Sequence, residues 1–219
     1  VLVSAGPTLE ALDCVRTLSN RSSGRMGVLL AQAARLRGAT VDLVHGPLRV
    51  PAAWLESLNC HAAVGSAAMQ ETLQELQPKA DALLMCAAVA DLRWTRPVAD
   101  EKLPKHELMG SIEAGWSLVP DLLEGLVRSR PQGQALLGFA ALAGTDEQML
   151  KRGRQKLLAK GCDLLMVNPV DRPGQGLESD QNAGWLLGPG DRCQICPLED
   201  KLELAHRLLD RLLELKQPF

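Results

Sequence analysis

Short apolar runs recur along this chain, and between them lie longer stretches whose apolar residues repeat at helical spacing. Residues 1–3, 40–44, 60–64, 81–86, 135–139 and 163–167 read as strands. Residues 26–36, 66–76, 121–128, 145–160 and 199–215 read as helices. The run 81–86 shows little polar alternation, as expected of a strand covered on both faces. Strand and helix alternating in this way predict an α/β fold, Rossmann-like and doubly wound, with a mainly parallel sheet and helices on both sides. The punctuation agrees. Gly38 and Gly161 stand where helices stop, Thr145 followed by Gln148 forms a capping-box pattern, and Ser66 is expected to cap the helix it opens. Two segments break the alternation. Residues 93–115 are polar and irregular, with Pro97, Pro104 and Gly110, and are expected to form a mobile flap. Residues 184–187 and 192–196 flank Gly188-Pro189-Gly190-Asp191 and read as a small β-hairpin.

Composition removes several function classes. A net charge of −2, with two Phe and no Tyr, gives no basis for nucleic-acid binding. No apolar run reaches membrane-spanning length, so no membrane association is expected. The six cysteines do not form a disulfide pattern, and the reducing cytoplasm is the expected compartment. Cys193-Gln-Ile-Cys196 has metal-like spacing without a second pair and reads as a strand with its thiols on opposite phases, so no protein-held metal is expected. At 219 residues the chain suits one domain spanning 1–219. It opens without Met, directly on a strand, and is expected to be a domain cut from a longer polypeptide.

In a doubly wound sheet, ligands gather beyond the carboxyl ends of the strands, so the residues that follow each strand carry the functional reading. After the first strand comes Ser19-Asn20-Arg21-Ser22-Ser23-Gly24-Arg25-Met26-Gly27, which opens a helix. Ser22, Ser23 and Gly24 there let an anion approach unpaired N–H groups at the positive end of the dipole, although an ordinary capped helix start has the same composition. After the others come Ala87-Ala88 and Asp91, then Phe139-Ala140-Ala141, then Asn168. Small residues beside an aromatic and several polar groups suit a nucleotide. Neither a GxGxxG nor a GxxxxGK[ST] loop follows the first strand.

Ala5-Gly6-Pro7-Thr8, Asp13, Val15-Arg16, the 19–27 run, Ala87-Ala88-Val89-Ala90-Asp91, Glu101-Lys102-Leu103, Gly138-Phe139-Ala140-Ala141 and Lys156 to Lys160 ahead of Asn168 occur here in one order. On these motifs the chain resembles the phosphopantothenoylcysteine synthetase (phosphopantothenate–cysteine ligase) domain of bacterial coenzyme A biosynthesis, over nearly its whole length. The resemblance implies a two-step ligation of 4′-phosphopantothenate to cysteine through an acyl-cytidylate formed from CTP, with Mg²⁺ accompanying the nucleotide. It further implies a homodimer built through the 184–196 hairpin and a fused or associated flavin-dependent decarboxylase. Asn20 and Lys102 would be the catalytic residues. Ala87, Ala88, Asp91, Pro120, Asp121, Phe139, Lys156 and Lys160 would bind nucleotide, and Arg16, Asn20, Ser22, Ser23 and Gly24 would bind phosphopantothenate. Taken singly, Asp91 also reads as a turn residue, Phe139 as core, Lys102 as half of a surface pair with Glu101, and the two lysines as a solvated helix face. The pattern departs from the family at Val119, Leu142 and Pro104, positions that usually hold Asn, Glu and Lys. Two readings from other classes are a nicotinamide-dependent reductase, opposed by the missing glycine fingerprint and the lack of Tyr, and a non-catalytic nucleotide-binding domain.

Overall fold

The structure, a computed structural model, describes residues 1–98 and 100–215. The domain expected over 1–219 and the flap expected over 93–115 each include positions outside the described residues. Along the chain run β1 (Leu2–Ala5), β2 (Leu9–Ala11), β3 (Thr17–Ser19), α1 (Arg25–Leu36), β4 (Asp42–His45), β5 (Asn59–Ala62), α2 (Ser66–Leu76), β6 (Ala82–Met85), β7 (Leu92–Trp94), α3 (Lys105–Ala114), β8 (Trp116–Leu118), α4 (Leu122–Arg128), β9 (Ala135–Leu142), α5 (Asp146–Lys160), β10 (Leu164–Pro169), β11 (Gln181–Leu187), β12 (Cys193–Asp200) and α6 (Lys201–Glu214). Eight strands form one sheet in the order β12-β11-β10-β9-β6-β1-β4-β5. It is parallel from β10 to β5, and the β11–β12 hairpin extends it antiparallel at one edge. The winding reverses between β1 and β6.

Because both faces are covered, neighbouring residues of one strand feed opposite cores. Val3 and Leu84 pack on the side of α1 and α6, whereas Leu2 and Leu83 pack on the side of α2, α4 and α5. The uninterrupted apolar run at 81–86 follows from this. Helix α1 lies hard against the first strand. A Cβ on Gly27 would come within 2.6 Å of the Ala5 Cβ and 2.8 Å of the Ser4 carbonyl, so only glycine fits that crossing. The Thr145–Gln148 capping box is made in both directions, and Gly161 closes α5 in the left-handed conformation. All six cysteines are free thiols; Cys193 is exposed and Cys196 buried, as their opposite phases require. No helix among the described residues is long and apolar enough to cross a membrane.

Two expectations are corrected. Ser66 does not cap α2: the N-cap is Gly65, and the Ser66 N–H donates instead to Glu10 Oε1 at 2.8 Å. The cap comes from a buried carboxylate 56 residues upstream, at the favourable end of the dipole. Residues 93–115 are irregular only in part: Lys105–Ala114 form α3, and Arg93 and Trp94 end β7, where Trp94 meets Trp116 of β8 edge to face at 5.4 Å. The helix has no strong apolar stripe and holds Gly110 at its centre, so its period is hard to read.

Candidate functional site

The chain leaving β1 does not turn straight into α1. It passes through Gly6-Pro7-Thr8 and the β2–β3 hairpin before reaching Asn20. Ser4, fully buried, accepts from the Cys86 and Ala87 N–H groups at 3.1 and 3.0 Å. Thr8 Oγ1 accepts from the Ala90 N–H at 3.0 Å. The Asn20 Nδ2 donates to the Ala88 and Val89 carbonyls at 3.1 and 3.0 Å. Thus β1 and its extension hold the 86–91 loop by its backbone. Both Asn20 amide hydrogens are spent there, so the group it can still offer is the Oδ1 acceptor. Gly24 is the left-handed N-cap of α1, and a Cβ there would fall 2.2 Å from Leu48 Cδ2. As a glycine the N-cap offers no side chain, and the Ser22 and Ser23 hydroxyls accept from the Gly24 and Arg25 N–H groups at 3.2 and 3.4 Å.

These loops line a cavity of about 660 Å³ over the carboxyl ends of the strands, at the reversal between β1 and β6. Asn20, Ser22, Ser23, Gly24, Ala87, Ala88, Asp91, Pro120, Asp121, Phe139, Lys156 and Lys160 all line it. The sequence-predicted residues are therefore brought together, with two exceptions. Lys102 is exposed and lies outside the wall, as does Arg16.

The cavity straddles the sheet edge. Cys86 and Phe139 pack on the α1/α6 side, and Asn168 shares their phase through the pairing of Met166 with Phe139. Ala87 and Ala140 pack on the opposite side. There Lys160 Nζ pairs with Asp121 Oδ2 at 2.8 Å, and Asp121 also caps α4 by accepting from the Glu124 N–H. Burial pushes the Asp121 carboxyl upward. The Lys160 ammonium and the helix N–H groups outweigh it, and the carboxyl titrates below its ordinary range. Phe139 and the lysine pair thus stand on different sides of the edge, two ends of one site.

Arg16 does something the sequence did not suggest. It forks onto Asp13, and its Nη2 also donates to the Leu103 carbonyl at 2.7 Å. Asp13, buried, accepts in addition from the N–H groups of Val15, Arg16 and Leu103. The pair ties the residue next to Lys102 to the turn of the β2–β3 hairpin. The Arg16 guanidinium holds the Asp13 carboxyl well below the usual carboxylate range. Ionised Asp13 therefore stabilises the fold in full above about pH 4, its unfolded value, and that contribution fades below it and is lost only as pH falls through the much lower folded value. Asp13→Asn is expected to lower stability at pH 7, with the gap to the wild type narrowing steadily as pH falls below about 4, as urea unfolding across that range would show.

Wall residues that were not among those predicted include Lys201 and Asn182. The connection 174–180 crosses the Asn20 loop. The Leu177 carbonyl accepts from Ser23 Oγ, Glu178 pairs with Arg21 and Arg49, and Asp180 pairs with Arg25. Lys201, 2% exposed, donates to the Gly176 and Ser179 carbonyls and lines the cavity, as does buried Asn182. In sequence Lys201 is indistinguishable from a solvated lysine at a helix start.

The model of the DNA/pantothenate metabolism flavoprotein C-terminal domain family matches residues 1–215. The coenzyme A biosynthesis bifunctional protein CoaBC of Escherichia coli K12 is 37% identical over 97% of this chain, and that of Mycobacterium bovis 38% identical over 97%. In each case the chain spans about half, 51%, of the relative's length. The crystal structure of the C-terminal domain of a CoaBC protein superposes with a TM-score of 0.78 at 26% identity, covering 98% of this chain and 93% of that one. A Cab2 mutant in complex with phosphopantothenate-cysteine shares the fold, with a TM-score of 0.71 at 16% identity over 99% of this chain and 85% of that one.

Proposed function

The chain belongs to the DNA/pantothenate metabolism flavoprotein C-terminal domain family, and from that premise we propose that it ligates 4′-phosphopantothenate to cysteine, using CTP, as a step of coenzyme A biosynthesis in the cytoplasm. The observation that carries this reading is the single cavity in which the Asn20 clamp, the 87–91 loop and the Asp121–Lys160 pair meet. A carboxylate is a poor acyl donor. Its oxygen attacks the α-phosphorus of CTP, the bond to pyrophosphate breaks, and an acyl-cytidylate results. The cysteine amine then attacks the acyl carbon, the C–O bond to CMP breaks, and the amine gives up its proton.

Most of what the protein contributes is placement and charge screening. Asn20 keeps the 87–91 loop in place and presents Oδ1 to a donor on the bound acyl group. Lys156 and Lys160 offer cations to the nucleotide from the α5 side, and Phe139 offers a ring face from the other. Lys102 would reach the α-phosphate when its segment closes. Mg²⁺ bound through nucleotide phosphates needs only one or two protein carboxylates, and Asp91, exposed at the rim, fits that part; the ion would neutralise phosphate charge. Among the described residues there is no cluster of three acidic, His or Cys side chains to hold a metal alone.

Pyrophosphate release from CTP in the presence of phosphopantothenate and cysteine, run beside ATP, tests the reading. No release with either nucleotide rejects it. The rest of the proposal concerns assembly. A flavin-dependent decarboxylase would be fused to or associated with this domain, since the relatives are bifunctional and about twice as long. The protein would pair as a homodimer. β12 is an edge strand with Ile195 and Leu198 exposed, which suits pairing with a second copy. Light scattering is expected to give twice the chain mass at micromolar concentration; a stable monomer would refute the dimer.

A further inference from the structure

Lys201 is an expensive residue to keep. Its side chain is among the largest fully buried ones, and its hydrogen-bond acceptors are the neutral carbonyls of Gly176 and Ser179. Among the described residues it forms no ion pair. It also opens α6, where the helix dipole repels a cation. The Asp200 carboxylate beside it is engaged in capping that helix. Burial and the nearby Arg25 guanidinium lower the ammonium to about 8, although the Cys86 thiol and Asp200 pull the other way. A buried charge is normally paired or hydrogen-bonded to an ion, and this one faces a cavity.

Its surroundings point to what is missing. Asn168, 6% exposed, lines the same cavity, and its carboxamide has no hydrogen-bond partner among the described residues. The Nε of Arg25, at the first position of α1, is buried and unpaired. The start of α1, where the Arg25 N–H is taken by Ser23 Oγ and the glycine N-cap has no side chain to offer the next ones, adds N–H groups at the positive end of a second dipole. Two cations, a free carboxamide and a helix terminus thus converge; Asp180, outside the wall, pairs with Arg25 and Asp200 caps α6, and of the two carboxylates in the wall, Asp91 and Asp121, the latter is paired with Lys160.

We propose that Lys201 supplies the counter-charge for a phosphate group bound against the start of α1, which rests on the ligase reading for the identity of the phosphate's owner. The ammonium already holds the 176–179 backbone across the Asn20 loop, so a phosphate there would lock both loops onto the same charge. Either the nucleotide or phosphopantothenate could bring that phosphate.

The test compares wild type with Lys201→Met, which keeps the apolar stem and removes the charge. Calorimetric titrations use CTP, 4′-phosphopantothenate and inorganic pyrophosphate, with unphosphorylated pantothenate as control. Losing one charge-assisted contact is expected to weaken CTP or phosphopantothenate by at least about 10-fold and to abolish pyrophosphate binding. Which substrate weakens identifies the owner. Pantothenate should be unaffected. Because the buried ammonium is itself costly, the free variant should melt no more than about 5 °C below wild type. Unchanged binding of all three phosphorylated ligands overturns the proposal. So does a variant that fails to fold or melts further below, since the ammonium would then serve the fold. If wild type binds neither CTP nor phosphopantothenate, the ligase reading fails, and the pyrophosphate titration alone decides Lys201; no pyrophosphate binding by wild type would also overturn it.

Discussion

Lys102→Gln is expected to slow pyrophosphate release by about 30- to 1000-fold, the loss that follows removal of one charge-assisted contact to a developing phosphate anion. The expectation depends on movement. In the free protein Lys102 is exposed and outside the cavity wall, while the next residue, Leu103, is tied by its N–H and its carbonyl to Asp13 and Arg16. That tether fixes one side of the segment and leaves the lysine side chain free to swing, so its cation would be felt mainly in the transition state. The melting temperature should hardly change, because no packed contact is lost. Lys105→Gln, beyond Pro104 and on the first turn of α3, should do less. Near-normal pyrophosphate release from Lys102→Gln, or a worse defect in Lys105→Gln, would remove Lys102 from the mechanism.

The other large effect is expected at Asn20. Asn20→Asp puts oxygen where Nδ2 now donates, facing the carbonyls of Ala88 and Val89, and adds a negative charge beside an anionic intermediate. The activation step, which needs the carboxylate and CTP to meet, should survive in part. Turnover of the acyl-cytidylate should not. Amide formation is expected to fall by about 100-fold or more while a burst of pyrophosphate persists, as a quenched-flow measurement of both products would show. An unchanged rate of phosphopantothenoylcysteine formation would sink the assignment.

How much of this was legible beforehand depends on how local the cause is. The α5 cap was readable because Thr145 and Gln148 are three residues apart, and the core strands because both faces are apolar. The Asn20 loop, the 87–91 loop and the lysine pair each follow a strand or ride a helix, so topology alone collects them at one rim. What stayed hidden rests on distant partners. Glu10 caps a helix that begins at Ser66, and Arg16, expected at the substrate, is bound up with Asp13 and the Leu103 carbonyl 87 residues away. The three-residue strands β2 and β3 are too short to show a period. Lys201 gave no signal at all, because only burial distinguishes it.

The contact between α1 and α6 also governs the order in which the molecule can come together. The helices join the first sixth of the chain to its last tenth, with Arg37 reaching Asp210 across 173 residues of sequence. During synthesis α1 can dock on β1 and β4 early, but the part of its face that α6 covers stays open until residues past 200 have been made, a wait of roughly ten seconds or more at about 5–20 residues per second. Closing so long a loop comes late in folding and slows it. The α1/α6 side of the sheet is therefore the last to be fully covered. The opposite side, built from α2, α4 and α5, can consolidate first.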